Sequence, residues 1–407
     1  MKRMLSLILC SMLLVLSACG ETAGSGTDAT PTESAKVETP TQSTEAEATP
    51  QDEKEEPTPE PEAPDRTIKE VFAEHGIKAG TCISSRVIGN TKMEKMVLDQ
   101  FNSVTMENAM KPDSILNREK SRADGNIVVE YSGETLQLLD WAKANNIPMR
   151  GHTLVWYSQT PEWIFHKDFD PSSELVNRDE MLSRMETYIR RNFEELEKLG
   201  CLDLFYAYDV VNEAWMEDGT MRKNRWSEII GDDYLWYAFY YADKYAPESI
   251  DLYYNDYNEQ YKAETLCSFA ETLVDEKGRS LIDGIGLQAH FFTADDLNQY
   301  FKAIDRLAES GLKLQMTELD VGLGRYQGPL SPTDDNLKKQ GKYYYDLING
   351  ILERVDSGKI KMDSLTIWGF TDLTSWRGEY SAQLFDKTLA PKYAFYGVIQ
   401  EKEKAGF

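Results

Sequence analysis

From about residue 65 onward, short apolar runs alternate with longer stretches whose apolar positions recur at helical spacing. The first pattern predicts strands and the second predicts amphipathic helices. Eight runs read as strands: Ala79–Ile83, Ser103–Thr105, Pro148–His152, Phe205–Val211, Asp251–Asn255, Gly284–Gln288, Lys313–Met316 and Ser364–Trp368. Helical stretches lie between them, among them Ser132–Asn145, Asp179–Leu199, Asp233–Tyr245 and Asn298–Glu309. Eightfold alternation of strand and helix predicts a parallel sheet closed on itself, a single (β/α)8 or TIM barrel over residues 65–407. In such a barrel the chemistry gathers at the C-terminal ends of the strands. Polar residues that follow apolar runs therefore become the candidates.

The first 64 residues follow a different pattern. Lys2 and Arg3 precede an apolar run from Met4 to Leu16, followed by Ser17-Ala18-Cys19-Gly20. A basic start, a short apolar core and small residues before a cleavage point predict a secretion signal over residues 1–18. The Leu-Ser-Ala-Cys ending resembles a bacterial lipobox, which implies lipidation of Cys19 and attachment to a membrane by a lipid anchor alone. Residues 19–64 are expected to be a disordered linker. From residue 21 the segment carries 12 acidic and 2 basic residues, and Val37 is its one large aliphatic side chain. Such a composition buries too little apolar surface to offset the entropy of ordering, and its charges repel. The expected location is the bacterial cell surface, facing outward.

Charge narrows the function further. The chain carries a net charge of −25 over 407 residues, of which −17 belongs to residues 65–407, so nothing favours a nucleic-acid partner. Cys82, Cys201 and Cys267 have the spacing of neither a metal site nor a disulfide framework and are expected to be buried thiols. No metal or organic cofactor is expected, since His152 and His290 stand in separate segments without ligand-like companions.

Two acidic segments satisfy the strand-end criterion most clearly, Tyr208-Asp209-Val210-Val211-Asn212-Glu213-Ala214 and Met316-Thr317-Glu318-Leu319-Asp320-Val321. Each places a glutamate where an apolar strand is expected to run out. Cleavage of a glycosidic bond needs two carboxyl groups facing it, one to donate a proton and one to attack or to activate water. A lone strand-end carboxylate is more often a cap or an ion-pair partner; two in an aromatic-rich barrel favour the catalytic reading. Glu318 and Asp320 are two apart and share a side of an extended strand, as do Gln288 and His290. A histidine backed by a second carboxylate would hold a nucleophile ionised and oriented.

Eight ordered motifs, spread over residues 65–400, then resemble glycoside hydrolase family 10, the endo-β-1,4-xylanases. They are Thr105-Met106-Glu107-Asn108-Ala109-Met110-Lys111; Arg150-Gly151-His152-Thr153-Leu154-Val155-Trp156 with Gln159; Asp209-Val210-Val211-Asn212-Glu213; Asn255-Asp256-Tyr257-Asn258; Gly286-Leu287-Gln288-Ala289-His290; Thr317-Glu318-Leu319-Asp320; Trp368-Gly369-Phe370-Thr371-Asp372; and Ser375-Trp376-Arg377. The resemblance implies a retaining glycosidase with Glu213 as acid/base and Glu318 as nucleophile, their carboxyl groups roughly 5–5.5 Å apart. It implies that Gln288 partners the acid/base, that His290 and Asp320 steady the nucleophile, and that Asn212 holds the sugar 2-OH. It further implies sugar contacts from Glu107, Asn108, Lys111, His152, Gln159 and Asn255, aromatic walls from Trp156, Trp368 and Trp376, and a leaving-group platform from Tyr257.

The residues leave other readings open. Glu107 and Lys111, four apart, also suit a surface helical pair, and Trp163 and Trp226 read as core residues. One position departs from the family pattern: Tyr157 stands where a histidine is common. The expected activity is internal hydrolysis of xylan by a monomer. The alternatives are a retaining endo-β-1,4-glucanase or a surface lipoprotein that captures glycan without cutting it.

Overall fold

A computed structural model of the chain describes residues 66–325 and 327–407. The expected signal, Cys19 and the linker lie outside the described residues. The barrel strands are β1 (Lys78–Ile83), β2 (Ser103–Met106), β3 (Met149–Gly151), β4 (Phe205–Asn212), β5 (Asp251–Asp256), β6 (Gly284–Leu287), β7 (Lys313–Gly322) and β8 (Met362–Ile367). Each pairs with the next in parallel, and β8 pairs with β1, so the sheet closes. Every one of these strands is followed by a helix on the outside, which is the fold that the pattern predicts. The four helices read from periodicity fall within one residue of the observed Gly133–Ala144, Arg178–Lys198, Tyr234–Tyr245 and Leu297–Ala308. Their starts are set by capping: the Asn177 side chain accepts the Glu180 N–H at 2.9 Å, and Asp296 accepts that of Asn298 at 2.9 Å.

Strand ends differ from expectation at two functional places. The run read as ending at Met316 continues to Gly322, because beyond the barrel β7 pairs with a short strand, His290–Phe292. Glu318 and Asp320 therefore lie inside a strand rather than after one. A shift in register does the aiming: between its contacts with Leu365 and Ile367 of β8, β7 advances from Met316 to Leu319. The extra residue on β7 falls at Thr317 and Glu318, where Glu318 lines the barrel mouth and Thr317 is buried against Asn255. β4 bulges likewise between Asp209 and Val211, just before Asn212 and Glu213. Gln288 and His290 do not lie on one continuous strand, because Ala289 between them has φ 59°.

The barrel interior is closed by polar as well as apolar side chains. Fully buried Arg150 donates to Gln315 Oε1 at 2.8 Å and to Asp209, which compensates its charge. Packing between β3 and β4 is tight enough to require glycine at 151, where a Cβ would collide with the Tyr208 ring. Gly151→Ala is accordingly expected to lower unfolding free energy by about 1–3 kcal/mol in denaturant titration. Trp226 is buried and Trp163 packs against the core, as expected, and Cys82, Cys201 and Cys267 are buried free thiols.

Candidate active site

The mouth of the barrel opens into a cleft of about 690 Å³. Fourteen of the predicted residues line it: Glu107, Asn108, Lys111, His152, Trp156, Gln159, Asn212, Glu213, Tyr257, Gln288, His290, Glu318, Trp368 and Trp376. Asn255 and Asp320 stand behind its wall, each with no exposed surface. Asn255 thus departs from its expected place among the sugar contacts. The β4–β5 register holds it against Asn212, and it serves the carboxylates instead.

Five side-chain amide bonds tie the two glutamates into one network. Gln288 Nε2 donates to Glu213 Oε1 at 3.0 Å and to Asn212 Oδ1 at 3.3 Å. Asn255 Nδ2 donates to the same Asn212 oxygen at 2.9 Å and to Glu318 Oε1 at 2.8 Å. Thr317 Oγ1 donates to Asn255 Oδ1 at 2.6 Å and fixes that amide's orientation. Asn212 Nδ2 reaches Glu213 Oε1 at 3.1 Å. Both carboxylates are held by amides that converge on one oxygen, so they belong to one site.

The other side of Glu318 faces a charge relay. His290 Nε2 is 3.3 Å from Glu318 Oε2, and its Nδ1 lies 3.1 Å from Asp320 Oδ2. Asp320 also accepts from Trp376 Nε1 at 3.2 Å and pairs with Arg377. Burial pushes the Glu318 carboxyl upward, but the His290 bond and the His152, His290 and Lys111 charges outweigh it, bringing the group down to about 2. Burial works to lower His290, yet Asp320 and Glu318 raise it to about 10. At neutral pH this places an imidazolium between two carboxylates.

Around the carboxylates, Lys111 Nζ donates to Asn108 Oδ1 and Gln159 Oε1 at 2.9 Å each and sits 4.9 Å from the Trp156 ring. Burial lowers its pKa against the raising charges of Glu318 and Glu107. Burial raises Glu107 against Lys111 and Arg86. Lys111 precedes the helix Pro112–Ile115, so with Glu107 it forms no surface helical pair. His152 Nδ1 is 2.8 Å from Asp209 Oδ2, and the ring meets Trp368 edge-on at 5.5 Å.

On the opposite wall, Tyr257 accepts from Arg222 at 2.8 Å, and the same guanidinium lies 4.3 Å from the Tyr157 ring. Burial and the neighbouring Glu213 charge push the Tyr157 phenol up to about 12. Strain concentrates here as well: Gln159, Glu213, Asn258 and Ala289 all have positive φ without being glycine.

Sequence reasoning missed Asp209 as the anchor of His152, Arg222 as the clamp on Tyr257, and Arg377 as the partner of Asp320. Asp209 and Arg377 stand inside recognised motifs, which was a usable signal. Arg222 stands in a loop of no recognisable pattern.

A closed parallel barrel whose mouth sets two amide-bound carboxylates between aromatic walls has the active-site architecture of a glycoside hydrolase. The chain belongs to glycosyl hydrolase family 10, whose family model matches residues 67–401. It is 32% identical over 359 residues to endo-1,4-beta-xylanase Y of Acetivibrio thermocellus, covering 83% of this chain and 32% of that protein. It is 33% identical over 343 residues to endo-1,4-beta-xylanase B of Paenibacillus barcinonensis, covering 80% and 95%. Among solved structures, the CBM22-1–GH10 modules of Clostridium thermocellum endo-1,4-beta-D-xylanase 10B complexed with xylohexaose superpose with a TM-score of 0.75 at 31% identity, covering 84% of this chain and 69% of that one. Several curated relatives are longer: the chain spans only 32%, 51% and 34% of three of them.

Proposed function

We propose that the protein is an endo-1,4-β-xylanase that cuts internal bonds of xylan with net retention, held at the cell surface by a lipid on Cys19 and acting as a monomer. The amide network joining Glu213 to Glu318 carries this reading, because double displacement needs both carboxylates at one linkage. Glu213 donates its proton to the glycosidic oxygen as Glu318 attacks the anomeric carbon, breaking the bond and forming a glycosyl ester. Glu213, now a carboxylate, takes a proton from water, whose oxygen displaces Glu318 and restores the starting state. The His290 imidazolium favours the anionic form of the nucleophile. Asn212 stands between the two carboxylates, where its amide can meet the sugar 2-OH. Xylanases among the relatives support xylan as the polymer, and the aromatic walls suit the C–H faces of pyranose rings.

The acidic limb of kcat/KM follows Glu318, whose carboxyl is held down to about 2, so the nucleophile is already ionised throughout the mildly acidic range. His290→Gln removes a group that lowers this pKa, and the limb is expected to move to higher pH. Loss of a hydrogen bond to a charged group, about 1.5–3 kcal/mol, predicts a roughly 10- to 100-fold fall in kcat/KM at neutral pH. A pH series on both proteins measures the two effects together.

Substrate and stereochemistry are tested by hydrolysis of xylan and of carboxymethyl cellulose, with proton NMR of fresh product. The expected result is a rapid fall in xylan viscosity, a rate at least about 100-fold above that on the cellulose derivative (about 2.7 kcal/mol in discrimination), and the β-anomer first. Comparable rates on both polymers favour a glucanase. Binding of xylan without release of reducing sugar favours a glycan-capturing lipoprotein.

A further inference from the structure

A second groove, of about 650 Å³, lies on the outside of the barrel between two helices and the loop that leaves β4. Its walls come from the start of the helix Tyr234–Tyr245, which follows β4, and from the whole length of the helix Ala263–Thr272, which follows β5. The first helix has seven aromatic residues among its twelve. Tyr234, Phe239 and Tyr241 turn into the core, which leaves Trp236, Tyr237, Tyr240 and Tyr245 with exposed surface. Core packing explains the buried three. It explains Trp236, Tyr237 and Tyr245 only in part, since each packs against the core yet keeps exposed surface, and it does not explain Tyr240.

Trp236 is held in a fixed pose. Tyr240 stacks on it at 4.8 Å with planes 12° apart, Tyr237 meets it edge-on at 5.1 Å, and its indole N–H donates to the Val274 carbonyl at 2.9 Å. The facing helix presents Glu264, Ser268 and Thr272, four residues apart and all exposed, with Thr265 beside them. One wall is therefore a rigid aromatic ring and the other a stripe of hydroxyl and carboxylate oxygens. A pyranose needs that combination, an apolar face for its C–H surface and polar groups for its hydroxyl edge. A ring already locked in place loses little entropy on binding.

Position and charge identify the occupant. β4 ends at Asn212, Glu213 faces the cleft, and Trp215, two residues further on, lines the second groove. The loop that carries Trp215 is closed by the Arg222 N–H on the Ala214 carbonyl at 2.7 Å and the Met216 N–H on that of Thr220 at 2.8 Å. The cleft and the groove thus share the loop that leaves β4. Asp232, Asp233 and Glu264 line the groove, engaged by Lys223, Arg178 and Arg306 respectively, and the domain as a whole is acidic, which disfavours a polyanion.

With xylan as the substrate proposed above, we infer that this groove is a non-catalytic binding site for a neutral β-1,4-linked xylan chain, keeping the enzyme on the polymer between cuts. The test uses the full chain and two substitutions. Trp236→Ala removes the aromatic wall, and Thr265→Arg fills the groove while leaving the aromatic packing intact. In a Glu318→Gln background, which stops turnover, each is expected to weaken adsorption to insoluble unbranched xylan about tenfold, the loss of one ring–sugar stack. In the wild-type background each is expected to hydrolyse a short aryl xylobioside, confined to the cleft, at a rate within twofold of the parent.

Unchanged adsorption of Thr265→Arg overturns the inference, whatever Trp236→Ala does. If that happens while the parent still cuts xylan, the groove reading fails and the xylanase reading stands. If the parent cuts no xylan, both fall.

Discussion

Glu318→Ala is expected to lower kcat on xylan on the order of 10⁵-fold while leaving oligosaccharide affinity within a few fold of the parent. The magnitude is that of removing the nucleophile from a covalent mechanism, about 7 kcal/mol of barrier. Affinity is expected to survive because Lys111, Asn108, Gln159 and His152, which line the cleft, are hydrogen-bonded to one another and to Asp209 rather than to Glu318. Alanine leaves His290 paired with Asp320, so the imidazolium keeps a partner and the site keeps its shape. Single-turnover kinetics with calorimetric binding of xylotetraose separates the two quantities. A loss of affinity in proportion to the loss of rate would assign Glu318 to binding instead.

Glu213→Ala has a different expected signature. On xylan, whose leaving group needs a proton, kcat is expected to fall about 10³- to 10⁴-fold, within the range general acid catalysis supplies. On an aryl xylobioside with an acidic phenol, bond breaking needs no proton, and hydrolysis of the glycosyl ester becomes limiting because no base activates water. Azide is small enough to enter the space left by the carboxylate and needs no base. It is expected to raise turnover roughly 10-fold or more, taking the leaving-group face and giving the β-azide. Gln288 and Asn212, which hold Glu213 in the parent, remain to orient the entering anion. An α-azide would contradict retention.

The sequence carried the barrel well because its signals are local. Eight apolar runs are set apart by helices of strong periodicity, so the four helices read from it start and stop within a residue of expectation. The pairing of Glu318 with Asp320 was also legible, since two-residue spacing along β7 survives into the structure and His290 touches both. What stayed hidden depends on register between strands. The extra residues on β4 and β7 that aim Glu213 and Glu318 arise from pairing with β5 and β8, and no local pattern encodes them. Asn255 was misplaced for the same reason. Its motif pointed to sugar, but its register against β4 buries it between Asn212 and Glu318. Arg222 reaches Tyr257 across 35 positions of chain, a contact that only the folded loops create.

The most direct measurement is covalent trapping with a 2-deoxy-2-fluoro-β-xylobioside bearing a good leaving group, followed by proteolysis and mass spectrometry. The fluorine slows hydrolysis of the glycosyl ester more than its formation, so the intermediate accumulates. The expected result is one sugar per protein, carried on the Glu318 carboxylate. Attachment to Glu213 or to any other residue, or inactivation with no adduct, would contradict the account.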